Sequence, residues 1–382
     1  MNIGILGYST SEFGELWDRS PRDLAREVIE GSLKKAGIEA GQIDGLYVGN
    51  MLAGILGNQA NVASFYAEEL GIYVPAVRVE AACASGSVAL NTAIQNIMSG
   101  NIKTAMVLGI EKMTDHSQDE VVAALMAAGG DEERATGITF AGLYALMARS
   151  YLDLYNVTEE DLASIPVKNH YHGSFNSKAQ FRFPITIEQV MRSAKIADPL
   201  KLLDCSPISD GAAAIIISSD PKLRKRSKGV AITASQIGTD SVGLCGRADL
   251  TTINASVVAG EKAYKEAKVK PSAIQVAEVH DCFSIAEAIA LEDLSFSKRG
   301  KAIHDVKTGK MTLFTGSTIV NPSGGLKACG HPVGATGIKQ IAEIAMQLEG
   351  VAGKRQVKDA KIGLTHNVGG SGAVSVVHIL QI

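Results

Sequence analysis

"VEAACASGSVALNTA", residues 79–93, is the stretch whose reading decides the fold. An apolar, strand-like run ends here, small residues follow, and a regular helical pattern begins; Cys83 stands at the joint. If Ala84 or Ser85 starts the helix, the sulfur lies beside backbone N–H groups that have no partner within the helix. Those groups and the helix field favour a thiolate, and such sites lower a cysteine from about 8.5 to about 3.5–7.5. The small neighbours leave room for a thioester. An isolated cysteine of this kind is more often a small, inert buried sulfur, so the stretch alone favours a core residue over a nucleophile.

Outward from this joint, strands and helices alternate. "IGILGYST" reads as a buried first strand and leads to "SPRDLAREVIEGSLKKAGI". There Ser20, Pro21 and Asp23 predict a capped helix start and Gly37 its end, with Leu24, Val28, Ile29 and Leu33 on the apolar face. A strand "IDGLYVGN", a helix through 59–70, a strand around 77–80, the helix 85–98 and the strand "TAMVLGI" complete a layered α/β half. The helix after Cys83 is expected to bury Leu90, Ile94, Ile97 and Met98. The C-terminal half repeats the order, from "GVAITASQIG" through helix 252–268, "VAEVHD", "CFSIAEAIALEDL", "TLFTGSTIVN", helix 335–349, "AKIGLTHNVGG" and "AVSVVHIL". The helix after His331 is expected to bury Ile338, Ile341, Ala345 and Leu348. Two similar halves separated by a long insertion imply a duplicated α/β fold whose active groups meet between the halves.

The chain divides accordingly into an N-terminal half (1–114), an insertion (115–210) with 211–228 returning to the core, and a C-terminal half (229–382). The insertion carries a helical stretch, "GITFAGLYALMARSYLDLY", with Phe140, Leu143, Tyr144 and Met147 on or near one stripe. It then runs through the aromatic, polar "VKNHYHGSFNSKAQFRFPI". A segment this long is not all irregular loop in a compact enzyme; it reads as a helical lid over the site.

Composition excludes several classes. With 46% hydrophobic and 20% charged residues and a formal charge of −3, the chain is a globular protein with no reason to seek nucleic acid or an anionic membrane. The basic run "KLRKRSKG" (222–229) has no interleaved aromatics and reads as a solvated loop. No membrane or export segment is expected, because Glu12 and Glu15 interrupt the apolar N-terminus and no basic region precedes it. The five cysteines, 83, 205, 245, 282 and 329, stand singly with no C-x-x-C pair. That spacing argues against a metal site or a disulfide scaffold and suits a reducing cytoplasm. No dinucleotide glycine motif and no phosphate-loop lysine is present, so neither a nicotinamide nor ATP is implied.

Three further stretches match the Cys83 joint. "EVHDCF" puts His280 and Cys282 where a strand meets a helix, flanked by Glu278 and Asp281. "NPSGGLKACGHPVGATG" puts His331 before another helix, and "THNVGGSG" offers backbone N–H groups around Gly369 and Gly370. Each histidine alone is compatible with an ordinary hydrogen-bonded role; four comparable strand-end positions are not a scatter.

With "CASGS", "HDCF", "GHPVGATG" and "NVGGSG" in this order across essentially the whole chain, the sequence resembles the thiolases. Within them it is similar to the sterol carrier protein 2 type and archaeal subgroup. The common enzymes carry "NEAF" where this chain has "HDCF", and a C-terminal catalytic cysteine where it has Asn367. The resemblance implies a duplicated five-layered α-β-α-β-α core with an inserted loop domain that holds CoA. It implies that Cys83 attacks an acyl-CoA, that His331 activates it, and that His280 replaces the family asparagine in fixing a water or an oxyanion. Cys282, as thiolate, would remove the α-proton of a second acetyl-CoA, and the N–H groups of Cys83 and Gly369 would bind the tetrahedral oxyanion. His172, Lys178, Gly324 and Gly325 are the candidate CoA contacts. CoA thioesters are expected as substrate and product with no resident cofactor. The implied activity is acetyl-CoA C-acetyltransferase feeding the mevalonate route, in a cytoplasmic homodimer or homotetramer. Association with a hydroxymethylglutaryl-CoA synthase and a zinc-ribbon, OB-fold bridging protein is also implied. A degradative 3-ketoacyl-CoA thiolase and a non-catalytic acyl-CoA-binding subunit are the rival readings.

Overall fold

A computed structural model describes residues 3–71, 73–225 and 229–382. Residues 226–228 of the basic run lie outside the described residues, as do Met1 and Asn2 before the first strand. The N-terminal half carries strands β1 (Ile3–Thr10), β2 (Gly45–Gly49), β3 (Ala76–Val79) and β4 (Thr104–Glu111), with helices α1 (Pro21–Ala36), α2 (Val62–Leu70) and α3 (Ser85–Met98). The insertion holds helices α4 (Gln118–Leu125), α5 (Asp131–Ala135), α6 (Phe140–Tyr155), α7 (Glu159–Leu162), α8 (Ser164–Gly173) and α9 (Ile187–Arg192), and a ribbon of β5 (Lys195–Ala197) and β6 (Leu200–Lys201). The chain returns through β7 (Gly211–Ser218) and α10 (Pro221–Arg224). The C-terminal half follows as β8 (Ala231–Thr239), α11 (Asn254–Ala267), β9 (Val276–Glu278), α12 (Ser284–Asp293), α13 (Ala302–Lys307), β10 (Ile319–Val320), α14 (Gly325–Cys329), α15 (Val333–Leu348), β11 (Ile362–Gly369) and β12 (Val374–Gln381).

Local chemistry sets the first helix as read from the sequence. Ser20 accepts from the Asp23 N–H while Asp23 reaches back to the Ser20 N–H, and Gly37 closes the helix at φ 64°. The duplication appears in the strand order, β10-β9-β11-β12-β8-β1-β7-β4-β2-β3. Outward from the β1/β8 junction, the N-terminal half runs 1-7-4-2-3 and the C-terminal half 8-12-11-9-10, the same topology twice. Among the described residues, the halves join through a ladder of two pairs, Ile3 with Ile232 and Gly4 with Ala231.

Side-chain alternation builds the layers. In β7, Ala213, Ile215 and Ile217 face a core shared with α3 and α15, whereas Ala212, Ala214 and Ile216 face α1 and α2. The C-terminal sheet packs the other way against α11, α12 and α6. Helices, sheet, the α3–α15 pair, sheet and helices therefore stack as five layers. The central pair approaches closely through glycine. A Cβ on Gly86 would lie 2.7 Å from the Gly334 carbonyl oxygen, and one on Gly337 2.3 Å from the Ser87 hydroxyl. Without these glycines the two helix N-termini would be held apart.

One expectation for the central helices fails, while Ile338, Ile341, Ala345 and Leu348 of α15 are buried as expected. Met98 is exposed, since the end of α3 emerges from the core. In α15 burial extends beyond the apolar stripe to Lys339, Gln340, Glu343 and Gln347. Being central, the helix has no solvent face, and each polar chain finds a partner instead. Lys339 Nζ donates to the Gly325 carbonyl at 3.0 Å, Gln340 to the His366 carbonyl at 3.0 Å, and Glu343 accepts from Arg355 at 2.9 Å.

Candidate active site

The ends of the parallel strands converge between the halves, the place where open α/β sheets bind ligands. β3 ends at Val79 and α3 starts at Ser85; the chain between them turns through Ala82 at φ 51°. This left-handed alanine costs about 1–3 kcal/mol. Ser85 offsets part of that cost by accepting from the Ala81 N–H at 2.9 Å and donating to the Ala82 carbonyl at 2.6 Å. Cys83 follows the turn and stays partly exposed where its neighbour Ala84 is buried. The matching joint of the other half is the start of α15, which carries His331. The β9–α12 joint supplies His280 and Cys282, and the end of β11 supplies Asn367, Gly369 and Gly370.

The Cys83 sulfur and one ring nitrogen of each of His280 and His331 all lie within 4.8 Å of one another. The two imidazoles stand edge to face, with centroids 5.1 Å apart at 81°. Hydrogen bonds behind the rings set their tautomers. Thr336 spends its hydroxyl proton on the Pro332 carbonyl at 3.0 Å and so accepts from His331 Nδ1–H at 2.7 Å. His331 Nε2 is left as a lone pair facing the sulfur side. Asn367 Nδ2 donates to His280 Nδ1 at 3.1 Å, which puts the His280 proton on Nε2. Neither Nε2 has a hydrogen-bond partner among the described residues. A third imidazole, His366, accepts from the His280 backbone N–H at 3.5 Å and contacts Ser256 at 2.8 Å. The site thus presents one acceptor and one donor nitrogen to the same space.

Electrostatics correct the expectation of a resting thiolate. Burial pushes the Cys83 thiol up to about 12, against the N–H groups of Gly370 and Cys83 itself, which pull it down. Burial outweighs the helix terminus. It also lowers His331 to about 3 and holds His280 well below its ordinary range, so both rings are neutral at physiological pH. Cys282 is raised too, chiefly by burial and then by the nearby Cys83 sulfur. The resting site is a neutral thiol against a neutral imidazole, and ionisation waits for the reaction.

The backbone N–H of Gly370 lies against the Cys83 sulfur, and its neighbour Gly369, the expected oxyanion donor, packs against the Ala81 carbonyl. His172 is buried with both nitrogens committed, Nδ1 to the Asn321 carbonyl at 3.0 Å and Nε2 to the Leu313 N–H at 2.9 Å. Gly324 (φ 98°) and Gly325 (φ 63°) are buried as well; a Cβ on the latter would lie 2.3 Å from the Asp281 carboxylate. All three are buried in contacts within the protein. Lys178 donates to the Thr10 carbonyl and lines a cavity of about 340 Å³, whose walls include none of Cys83, His280, Cys282 and His331.

Two participants escaped the sequence reading. Tyr144, read only as part of a helix stripe, is fully buried, hydrogen-bonded to the Cys282 sulfur and donating to the Gly370 carbonyl at 3.2 Å. Glu111, at the end of β4, accepts from Asn50 Nδ2 (2.8 Å), the N–H groups of Met51 (2.9 Å) and Leu52 (3.0 Å), and the Gly334 N–H of α15 (3.1 Å). Its position as the last residue of a buried strand was the available signal.

A thiol on a partly exposed residue after a left-handed turn, beside a free imidazole lone pair and near a second buried thiol, defines a cysteine acyl-transfer enzyme on a duplicated α/β fold. The chain belongs to the thiolase family: the thiolase N-terminal domain matches residues 5–221 and the thiolase C-terminal domain-like region residues 237–382. It is 46% identical over 382 residues to an acetyl-CoA acetyltransferase of Methanothermobacter thermautotrophicus, covering 100% of this chain and 99% of that one. It is 35% identical to sterol carrier protein 2 of Homo sapiens, over 98% of this chain and 71% of that protein. Among solved structures, the Ltp2-ChsH2(DUF35) aldolase superposes with a TM-score of 0.87 at 24% identity, covering 100% of this chain and 97% of that one. An acetyl-CoA acetyltransferase from Syntrophomonas wolfei superposes with a TM-score of 0.75 at 18% identity, covering 100% and 99%. Both have the same fold. Among the described residues no helix is long and apolar enough to cross a membrane.

Proposed function

We propose that the protein is an acetyl-CoA C-acetyltransferase, joining two acetyl-CoA into acetoacetyl-CoA and CoA and running the reverse thiolysis. The observation that carries this is the convergence of the Cys83 sulfur with a ring nitrogen of each of His280 and His331 between the halves, with the Cys282 sulfur near that of Cys83. The near-full-length likeness to the archaeal acetyltransferase supports the substrate.

In the first half-reaction Cys83 attacks the thioester carbonyl as its proton passes to His331 Nε2, and that proton leaves with CoA–SH. The carbonyl oxygen is received by the N–H groups of Cys83 and of the Gly369–Gly370 segment. One such donor is worth about 3–4 kcal/mol. In the second, Cys282 as thiolate takes the α-proton of a new acetyl-CoA, and His280 Nε2–H stabilises the enolate oxygen. The carbanion attacks acetyl-Cys83, the C–S bond breaks, and the proton on Cys282 returns to the Cys83 sulfur. Replacing Cys83 with alanine is expected to abolish thiolysis of acetoacetyl-CoA; full turnover by that variant would sink the assignment.

The CoA arm is assigned to the insertion (115–210), where Lys178 lines a cavity wall. We place the enzyme in the cytoplasm, supplying the mevalonate route. Because condensation is uphill, we also propose a complex with a hydroxymethylglutaryl-CoA synthase and a zinc-ribbon, OB-fold bridging protein. Self-association is proposed through β3, an edge strand of the sheet, where Val77 is 47% and nearby Tyr73 98% exposed. Light scattering should give at least twice the 40.1 kDa chain mass, and a single-chain mass would refute it.

A further inference from the structure

The sequence offers no paired-cysteine spacing for a metal, yet the fold gathers a ligand set from three separate joints. We propose that Cys83, His280 and His331 form a reversible three-ligand site for Zn²⁺ or a similar thiophilic divalent cation, and that the metal-bound form is inactive. Only the inactivity rests on the acyl-transfer reading; the binding does not.

The three donor atoms lie within 4.8 Å of one another. Zn–S and Zn–N bonds of about 2.3 and 2.0–2.1 Å place tetrahedral donors about 3.5 Å apart. Closing that gap takes side-chain rotation of about 1 Å. Both Nε2 atoms are buried without a hydrogen-bond partner and belong to neutral rings, the form that ligates. His331 is already the correct tautomer, its Nδ1–H held by Thr336. His280 carries its proton on Nε2 and must move it to Nδ1.

Asn367 allows that change. Its Oδ1 has no partner, and neither does the Ser87 hydroxyl; the two lie 2.6 and 2.3 Å from the position a Cβ on Gly337 would take. Turning the carboxamide over lets Oδ1 accept from His280 Nδ1–H and brings Nδ2 toward Ser87. The metal then has two imidazoles with hydrogen-bonded backs, as ligating histidines require. The S–Zn bond replaces the S–H bond and releases one proton to solvent. The Cys282 sulfur lies outside the three-atom set, so a fourth position stays open on the side where Cys83 is exposed, for water or a thiolate.

Co²⁺ is the spectroscopic probe and Zn²⁺ the competitor. One equivalent of Co²⁺ should give a near-ultraviolet thiolate-to-cobalt band in wild-type enzyme, displaced by Zn²⁺ and absent after Cys83 is acetylated by acetyl-CoA. Cys83→Ser should lose the band, while His280→Gln and His331→Gln should weaken binding by about 10–100-fold or more, each with unchanged far-ultraviolet dichroism. Asn367→Asp, whose carboxylate holds Nδ1–H outright, should bind about 10-fold tighter. Cys245→Ser, at an exposed cysteine, should bind as wild type. A band that survives in Cys83→Ser, or its absence in folded wild-type enzyme with excess Co²⁺, overturns the site. Binding as expected with undiminished thiolysis would overturn the inactivity alone.

Discussion

Cys282→Ala is expected to split the reaction into its halves. Acetyl-CoA should still acetylate Cys83, seen as one acetyl group by intact mass and one equivalent of CoA released. Condensation and α-proton exchange should both fall by about 10²–10⁴-fold, the range a positioned proton-transfer group supplies. The geometry separates the roles: His331 faces Cys83 with its lone pair, whereas Cys282 lies against Tyr144, buried, on the opposite joint. The pH dependence should separate as well. His331 is lowered to about 3, so its lone pair is lost only as pH falls toward that value, and acylation should show no inflection near the ordinary histidine range of about 6.5. Cys282 is raised, so its thiolate is the minority form and grows as pH rises; condensation should therefore climb across the neutral to alkaline range. Unimpaired condensation by Cys282→Ala would contradict its role.

The second large effect is expected at Glu111. Its carboxylate is buried and takes four donors, three from residues 50–52 beside Cys83 and one from the first turn of the helix that follows His331. Glu111→Ala strands those donors, each costing about 1–3 kcal/mol, for a loss of about 4 kcal/mol or more. It also frees the two reacting sides to drift, and a displacement of about 1 Å costs on the order of 10²-fold in rate. Glu111→Gln should fall between, because its amide nitrogen meets N–H groups that need an acceptor. Denaturant titration and thiolysis rates read the two effects; a change within about 1 kcal/mol at normal kcat would show that residues 50–52 and α15 are held by other contacts.

Legibility followed the range of the interaction. The capped helix α1, the duplicated strand order and the Cys83 joint are local, and their signals lie within a few residues of each other. Tyr144 and Glu111 looked like core residues because their partners lie 226 and 223 positions away, at Gly370 and Gly334. The protonation state of Cys83 was misread for a related reason: a helix start is visible in the sequence, but the burial that outweighs it comes from segments distant in the chain, among them Val121 and Ala124 of the insertion and Val333 of the other half.

By itself, then, the order of residues determined that two like halves present Cys83, His280, Cys282 and His331 at strand ends, since periodicity and joint composition are properties of neighbours. The tertiary structure alone decided that the thiols rest neutral, that the two histidines hold opposite tautomers, and that His172, Gly324 and Gly325 are buried in packing. Those outcomes depend on desolvation and on hydrogen bonds to Thr336, Asn367 and Asn321, and both are set by which distant segments the fold presses together.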